Sequence, residues 1–253
     1  MASYALETFH ERRCSYALLI GVYNENGFIT RQVEKLQRYR GEVDILIADG
    51  GSSDGATSAA NLRSSVRALL TNDKRGLSAQ YRGAIEYALA EGYEGIIMMD
   101  GNGKDGVEAL PHFIEKLKTG YDLVQGSRFM PGGLHRNTPI IRLLSIRCIF
   151  NPVMRLASGF SYTDGINGFK GCSRSFLLDS RVQPLRDVFV HYNLQYYLNY
   201  IAPKLKFKTI EIPVSRVYSS AVSGHTKIRG VGAYMAILGE LASTVLGSYN
   251  PRQ

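Results

Sequence analysis

Residues 44–55 read Asp-Ile-Leu-Ile-Ala-Asp-Gly-Gly-Ser-Ser-Asp-Gly, and this stretch decides the fold. An apolar run, Ile45 to Ala48, stops at a carboxylate, Asp49, and a loop of small residues follows. The run has the length of a buried parallel strand, and the glycines and serines mark an abrupt turn. An Asp-capped turn before a helix, with Ser53 or Asp54 as N-cap, would account for the stretch taken alone. A second strand weakens that account. Gly95-Ile-Ile-Met-Met-Asp100 also ends in Asp and enters a glycine-rich polar loop, Gly101-Asn102-Gly103-Lys104-Asp105. Carboxylates at the carboxyl ends of strands lie where open α/β sheets bind ligands.

Working outward, strands are expected at about 16–23, 43–49, 66–70, 95–100 and 121–126. Helices are expected at about 28–40, 55–62, 77–91 and 107–119. Leu77, Tyr81, Ala84, Ile85 and Ala88 share one helical face, as do Val107, Leu110, Phe113, Ile114 and Leu117. Such alternation predicts an α/β fold with a mostly parallel central sheet and helices on both faces. Beyond residue 130 the apolar segment 139–157 carries Arg142, Arg147 and Arg155, and Asn151-Pro152 is expected to split it into two helices. A strand or turn at 168–171, a helix at 187–201 and a strand at 207–214 complete the body. Val231, Tyr234, Ile237, Leu238, Leu241 and Val245 fall at helical spacing, and core packing is the expected fate of that helix over a rest in a membrane interface.

The chain has 253 residues, 45% hydrophobic and 21% charged, which suits one soluble α/β domain. The formal charge of +8 favours anionic partners, and phosphorylated ligands explain it better than nucleic acid, for which there is no motif. Cys14, Cys148 and Cys172 are widely spaced and too few for a metal or disulfide framework, so free thiols in a reducing compartment are expected. The N-terminal charges do not fit a signal peptide, and no apolar run is long enough to span a bilayer. No Gly-x-Gly-x-x-Gly follows the first strand, which disfavours a dinucleotide-binding oxidoreductase.

Taken in order, Tyr23-Asn24-Glu25, Asp49-Gly-Gly-Ser52-Ser-Asp-Gly55, Gly76-Leu-Ser, Asp100-Gly101-Asn102 and Gly126-Ser-Arg128 resemble the motif series of family 2 glycosyltransferases with the GT-A fold. Asp164-Gly-Ile-Asn-Gly-Phe-Lys170, Ile210-Glu-Ile-Pro-Val214 and Thr226-Lys227 resemble the dolichol- and polyprenyl-phosphate mannose synthase branch. The resemblance implies a single Rossmann-like GT-A domain over residues 1–253, with a donor-nucleotide half (about 1–125) and an acceptor half (about 126–253). It implies an inverting enzyme that moves a hexose, mannose or glucose, from a UDP- or GDP-linked sugar to polyprenyl or dolichyl phosphate. Tyr23, Asn24, Glu25, Asp49, Ser52, Arg75, Gly76, Asp100, Gly101, Asn102 and Lys104 would hold the nucleotide sugar. Arg128, Arg142 and Lys227 would hold the acceptor phosphate.

Asp100, Asp164 and Arg128 are the expected catalytic residues, with Asp164 beside the transferred sugar. Asp100 and Asn102 would ligate Mg²⁺ or Mn²⁺. Asn102 is a weaker oxygen ligand than carboxylate, and Lys104 cannot ligate as an ammonium; it could instead place charge beside the diphosphate. His191 is expected to pack half-buried on a helix. Two other readings stand at this point. One is transfer to a sugar hydroxyl in polysaccharide or glycoconjugate assembly, with Asp164 as general base; the other is a catalytically silent nucleotide-sugar-binding subunit. A cytoplasmic protein is expected, meeting its lipid by peripheral contact with a membrane or a membrane subunit.

Overall fold

The computed structural model describes residues 3–73, 76–218 and 230–251. Three parallel strands, buried throughout save for Asp100 at the end of the third, form its centre: β2 (Tyr16–Val22), β3 (Val43–Asp49) and β5 (Gly95–Asp100). They are outflanked by β1 (Tyr4–Thr8), β4 (Ala68–Asn72), β6 (Leu123–Ser127), β8 (Lys170–Ser173) and β9 (Thr209–Pro213). The sheet order is β1-β4-β3-β2-β5-β8-β6-β9. Edge strand β1 runs antiparallel to β4, and β8 runs antiparallel to both β5 and β6. The remaining ladders of this sheet are parallel. A short parallel pair, β7 (Leu134–Arg136) with β10 (Ser215–Val217), stands apart.

Alternation along the strands sends side chains to two cores, one on each face. Leu18, Ile20, Ile45, Ile47, Ile97 and Met99 pack with α1 (Gly27–Leu36) and α4 (Leu110–Lys118). Ala17, Leu19, Leu46, Ala48, Ile96 and Met98 pack on the other face, under α3 (Leu77–Ala90). The same face takes α6 (Asn151–Ser158), α8 (Asn193–Lys204) and α9 (Gly230–Val245). Ile237 and Leu241 of α9 are buried there, so the C-terminal helix packs on the body as expected. Short helices α2 (Ala59–Leu62), α5 (Ile140–Ser145) and α7 (Arg174–Leu178) complete the set.

Two expectations need correction. Asn151-Pro152 does not break the segment after residue 139. The chain stays helical from Ile140 to Ser158, with a π-helical turn at Ile146–Phe150. Pro152 removes a backbone donor, and the widened turn before it absorbs the mismatch. The helix expected at 187–201 begins only at Asn193, because Asn193 Oδ1 and Nδ2 bond the backbone of Val190 and Val188 and fold the approach into a bend. His191 therefore lies exposed in that bend rather than on a helix.

Candidate active site

The parallel register sets Val22 opposite Asp49 and Gly21 opposite Asp100. The two carboxylates thus flank β2 at one sheet edge, as the sequence implies. Their roles differ. Asp49 is buried and turned into its own loop: Oδ1 accepts from Ser52 N (3.1 Å) and Oγ (2.6 Å), and Oδ2 accepts from Thr57 Oγ1 (3.1 Å). Ser52 Oγ accepts from Asn24 N (2.9 Å), while Ser53 N donates to Asn24 Oδ1 (2.8 Å). Asn24 and Asn26 adopt left-handed backbone (φ 48° and 49°), a conformation Asn tolerates. Asp49, Ser52 and Asn24 together latch two loops, and they leave Tyr23 and Glu25 on the wall of a cavity of about 430 Å³.

This cavity begins at the strand ends. Gly76, Gln80, Asp100, Asn102 and Lys104 line it beside Tyr23 and Glu25. Gly76 is obligatory there. Its φ is 141°, and a Cβ would come within 2.2 Å of the Val190 carbonyl. That close approach lets Ser78 N and Oγ donate to His191 O (2.7 and 2.8 Å), which pins the His191 bend at the rim. Arg128, Arg142, Arg216 and Tyr218 line it too, as do the apolar side chains of Ile141, Ile146, Phe150, Ile166, Ile237 and Leu238. One space therefore joins a charged zone to an apolar one.

The charged zone contains two groups that the sequence did not single out, Arg216 and Tyr218. Arg216 is only 7% exposed. Its Nη1 donates to both carboxylate oxygens of Asp105 (2.7 Å each), and its Nη2 donates to Asp100 Oδ2 (2.9 Å). Burial pushes the Asp100 carboxyl up, but the adjoining Arg216 guanidinium, with Lys104 and Arg142, holds it below the usual carboxylate value. The Tyr218 ring gathers three cations: Lys104 Nζ at 5.3 Å, Arg216 at 5.7 Å and Arg142 at 5.9 Å from its centroid. Arg142 Nη1 also donates to Tyr218 Oη (3.0 Å). Burial raises the phenol's pKa, and the arginines outweigh it to bring the pKa below the ordinary value. Lys104 is lowered by burial and then by Arg216.

Arg128 and Asp164 are brought together, but not as a catalytic pair facing the cavity. Asp164 is fully buried and is not part of the lining. It accepts Arg128 Nε (2.6 Å), Nη2 (2.8 Å) and backbone N (3.1 Å). Of the two, Arg128 lines the cavity. Behind them lies Lys170, 0% exposed, donating to Gln195 O (2.8 Å) and Asn199 Oδ1 (3.0 Å). Burial lowers its pKa to about 7. Arg75 and Lys227 lie outside the described residues.

The metal expectation at Asp100 and Asn102 meets a different donor set. Asp100 Oδ2 is engaged by Arg216, and Asn102 turns its amide nitrogen toward that oxygen (3.4 Å) while its Oδ1 accepts from Lys104 N (3.2 Å). Among the described residues no group of three or more His, Cys, Asp or Glu could hold an ion. A divalent cation drawn to Asp100 would sit against a guanidinium and an ammonium, so these residues, as folded, do not fit it.

The model of the family described as Glycosyl transferase family 2 matches residues 18–179. The polyprenol monophosphomannose synthase of Mycolicibacterium smegmatis is 27% identical over 218 residues, covering 84% of this chain and 80% of that protein. The undecaprenyl-phosphate mannosyltransferase of Micrococcus luteus is 28% identical over 216 residues, covering 84% and 86%. Among solved structures, glucosyl-3-phosphoglycerate synthase of Mycobacterium tuberculosis, crystallised with Mn²⁺, UDP and phosphoglyceric acid, superposes with a TM-score of 0.67. It is 13% identical, and the match covers 94% of this chain and 80% of that one. That likeness shows the GT-A fold.

Proposed function

The chain belongs to glycosyltransferase family 2, and on that premise we propose that it transfers a hexose, mannose or glucose, from a UDP- or GDP-linked donor to a polyprenyl or dolichyl phosphate. The observation that carries this reading is one cavity lined both by Asp100, Arg128, Arg142 and Arg216 and by apolar side chains such as Ile146, Phe150 and Ile237. A lipid monophosphate needs both parts: cations for its head and apolar walls for its chain. The relatives from Mycolicibacterium and Micrococcus support it by their names.

In this reading residues 1–125 form the donor half, with Tyr23, Glu25, Gly76, Asp100 and Lys104 about the nucleotide sugar. Residues 126–253 form the acceptor half. Arg142, steered by Tyr218, and Arg128, steered by Asp164, hold the acceptor phosphate against the repulsion of the donor diphosphate. A phosphate oxygen is ionised at neutral pH and attacks the anomeric carbon without a general base, in one in-line displacement that inverts configuration. A hydroxyl acceptor would need such a base, and Asp164 is committed to Arg128.

The face of α5 and α6 supports peripheral contact with a membrane. Ile140 is 73% exposed and Leu156 88% exposed, with exposed Arg147 and Arg155 between them in the chain. No described helix is long and apolar enough to cross a membrane. All three cysteines are free, which suits a cytoplasmic setting.

The test is transfer from GDP-mannose, UDP-mannose and UDP-glucose to a short polyprenyl phosphate, with the matching polyprenol as control. The reading expects sugar on the phosphate alone. Equal labelling of the polyprenol, or release of free sugar as the sole product, would refute it.

A further inference from the structure

We infer that in this chain the cation at the donor diphosphate is supplied by the protein itself, by Arg216 and Lys104, and that nucleotide binding and transfer proceed without a divalent ion. This rests on the nucleotide-sugar reading above. Arg216 comes from β10, remote in sequence from the Asp100 loop, yet its guanidinium reaches the strand-end carboxylate itself at 2.9 Å. Asp105 fixes it there by accepting two bonds from Nη1, so the group is held before any ligand arrives. A guanidinium presents fixed, planar N–H donors suited to phosphate oxygens. Lys104 lines the same cavity from the same loop as Asp100 and stacks its ammonium on Tyr218. Asn102 supplies a neutral amide where a second carboxylate would recruit a metal.

Asp105 and Asp100 each accept from Arg216, and Asp164 is matched by Arg128. Lys104 lines the cavity wall, with Glu25, and meets the donor's anionic charge there, while Arg142 faces the acceptor phosphate. In the transfer step, the bond between the anomeric carbon and the donor phosphate oxygen breaks and its electron pair leaves with the nucleoside diphosphate. An acceptor phosphate oxygen supplies the pair for the new bond, and no proton or electron is exchanged. The leaving group gains one negative charge, and that is the charge Arg216 and Lys104 would stabilise.

The experiment uses the full chain stripped of metal with EDTA, with UDP and GDP as probes. Binding is read by thermal shift and titration, and transfer by single turnover. The expected result is a Kd for the preferred nucleotide that agrees within about twofold in EDTA and in Mn²⁺. Lys104→Met, which breaks no buried pair, should weaken that Kd about tenfold in EDTA. The double variant Arg216→Gln/Asp105→Asn, which leaves no unmatched Asp105 charge, should weaken it as much, and Mn²⁺ should restore it through the freed Asp100. Wild-type binding at least tenfold weaker in EDTA than in Mn²⁺ would overturn the inference and leave the nucleotide-sugar reading standing. Failure of both nucleotides to bind under either condition would overturn that reading and the inference with it.

Discussion

Replacing Asp164 by Asn separates two roles for a buried carboxylate. As a clamp, Asp164 accepts three bonds from Arg128, at 2.6, 2.8 and 3.1 Å. Asn offers a single acceptor oxygen, and its amide nitrogen would face an Arg128 donor. The arginine is itself buried, so it loses its countercharge in a medium that penalises unpaired ions. Removing one partner of a buried pair costs about 3–5 kcal/mol. For a chain of this size each kcal/mol moves Tm by about 2–4 °C, so a fall of roughly 10 °C is expected. The assay is a double-mutant cycle: wild type, Asp164→Asn, Arg128→Met and the double variant, each unfolded by heat and by urea. The double variant should be more stable than the sum of the singles predicts, with a coupling of about 2 kcal/mol or more. In transfer assays Asp164→Asn should raise KM for the lipid phosphate while UDP or GDP binding holds. Singles that add to within about 0.5 kcal/mol would refute the clamp. So would an Asp164→Asn protein that keeps its Tm and loses all turnover, the signature of a general base.

Lys170 gives a pH prediction. Its folded pKa of about 7 lies below the unfolded value of 10.5 because burial disfavours the ammonium. Between those values the unfolded chain binds more protons, so wild-type stability rises with pH through that window and is flat below it. Integrated across the window this is on the order of 4 kcal/mol. Urea unfolding at pH 7 and 9.5 should show wild type gaining on Lys170→Met as the pH rises; parallel behaviour would place the ammonium in a solvated site. At the surface, Ile140→Glu with Leu156→Glu should weaken sedimentation with anionic vesicles by tenfold or more, since each apolar side chain fully buried contributes about 1.5–3 kcal/mol. Both positions are exposed, so Tm should hold, and unchanged vesicle binding would remove that face from the membrane reading.

Much of this architecture was legible from local pattern. Apolar runs ending at Asp49 and Asp100, and the helix after Gly76, are signals confined to a few neighbouring residues, and each appears where the pattern puts it, although that helix is buried almost all round, Gln80 and Arg82 included, rather than on one face. Arg216 was not legible, because its partners Asp100 and Asp105 lie far earlier in the chain and only the backbone bonds that tie β10 to the loop after β5, Gly106 N to Ser215 O and Val217 N to Lys104 O, bring it there. Tyr218 was hidden for the same reason. Edge strand β1 is short and mostly exposed, so it carries no apolar run to read. The motif residues Asp49, Asn24 and Ser52 were found as a group, but spacing alone could not tell that they would bond one another and leave the cavity wall to Tyr23 and Glu25.

Strand β8 carries a consequence for anyone who would cut or recombine this protein. It comes from the second half of the chain, yet it is threaded between β5 and β6, both from earlier in the chain or at its midpoint. The two halves are therefore interleaved like fingers of folded hands. A fragment ending near residue 126 would expose the long ladder edge of β5 to other chains. A chimera that swaps only the first half with a relative would force a foreign β5 to accept this β8, and its pairing of Gly95 to Met98 with Ser173 to Lys170 would have to survive the exchange. Donor preference in such a molecule is better altered by changing loop residues in place than by trading modules.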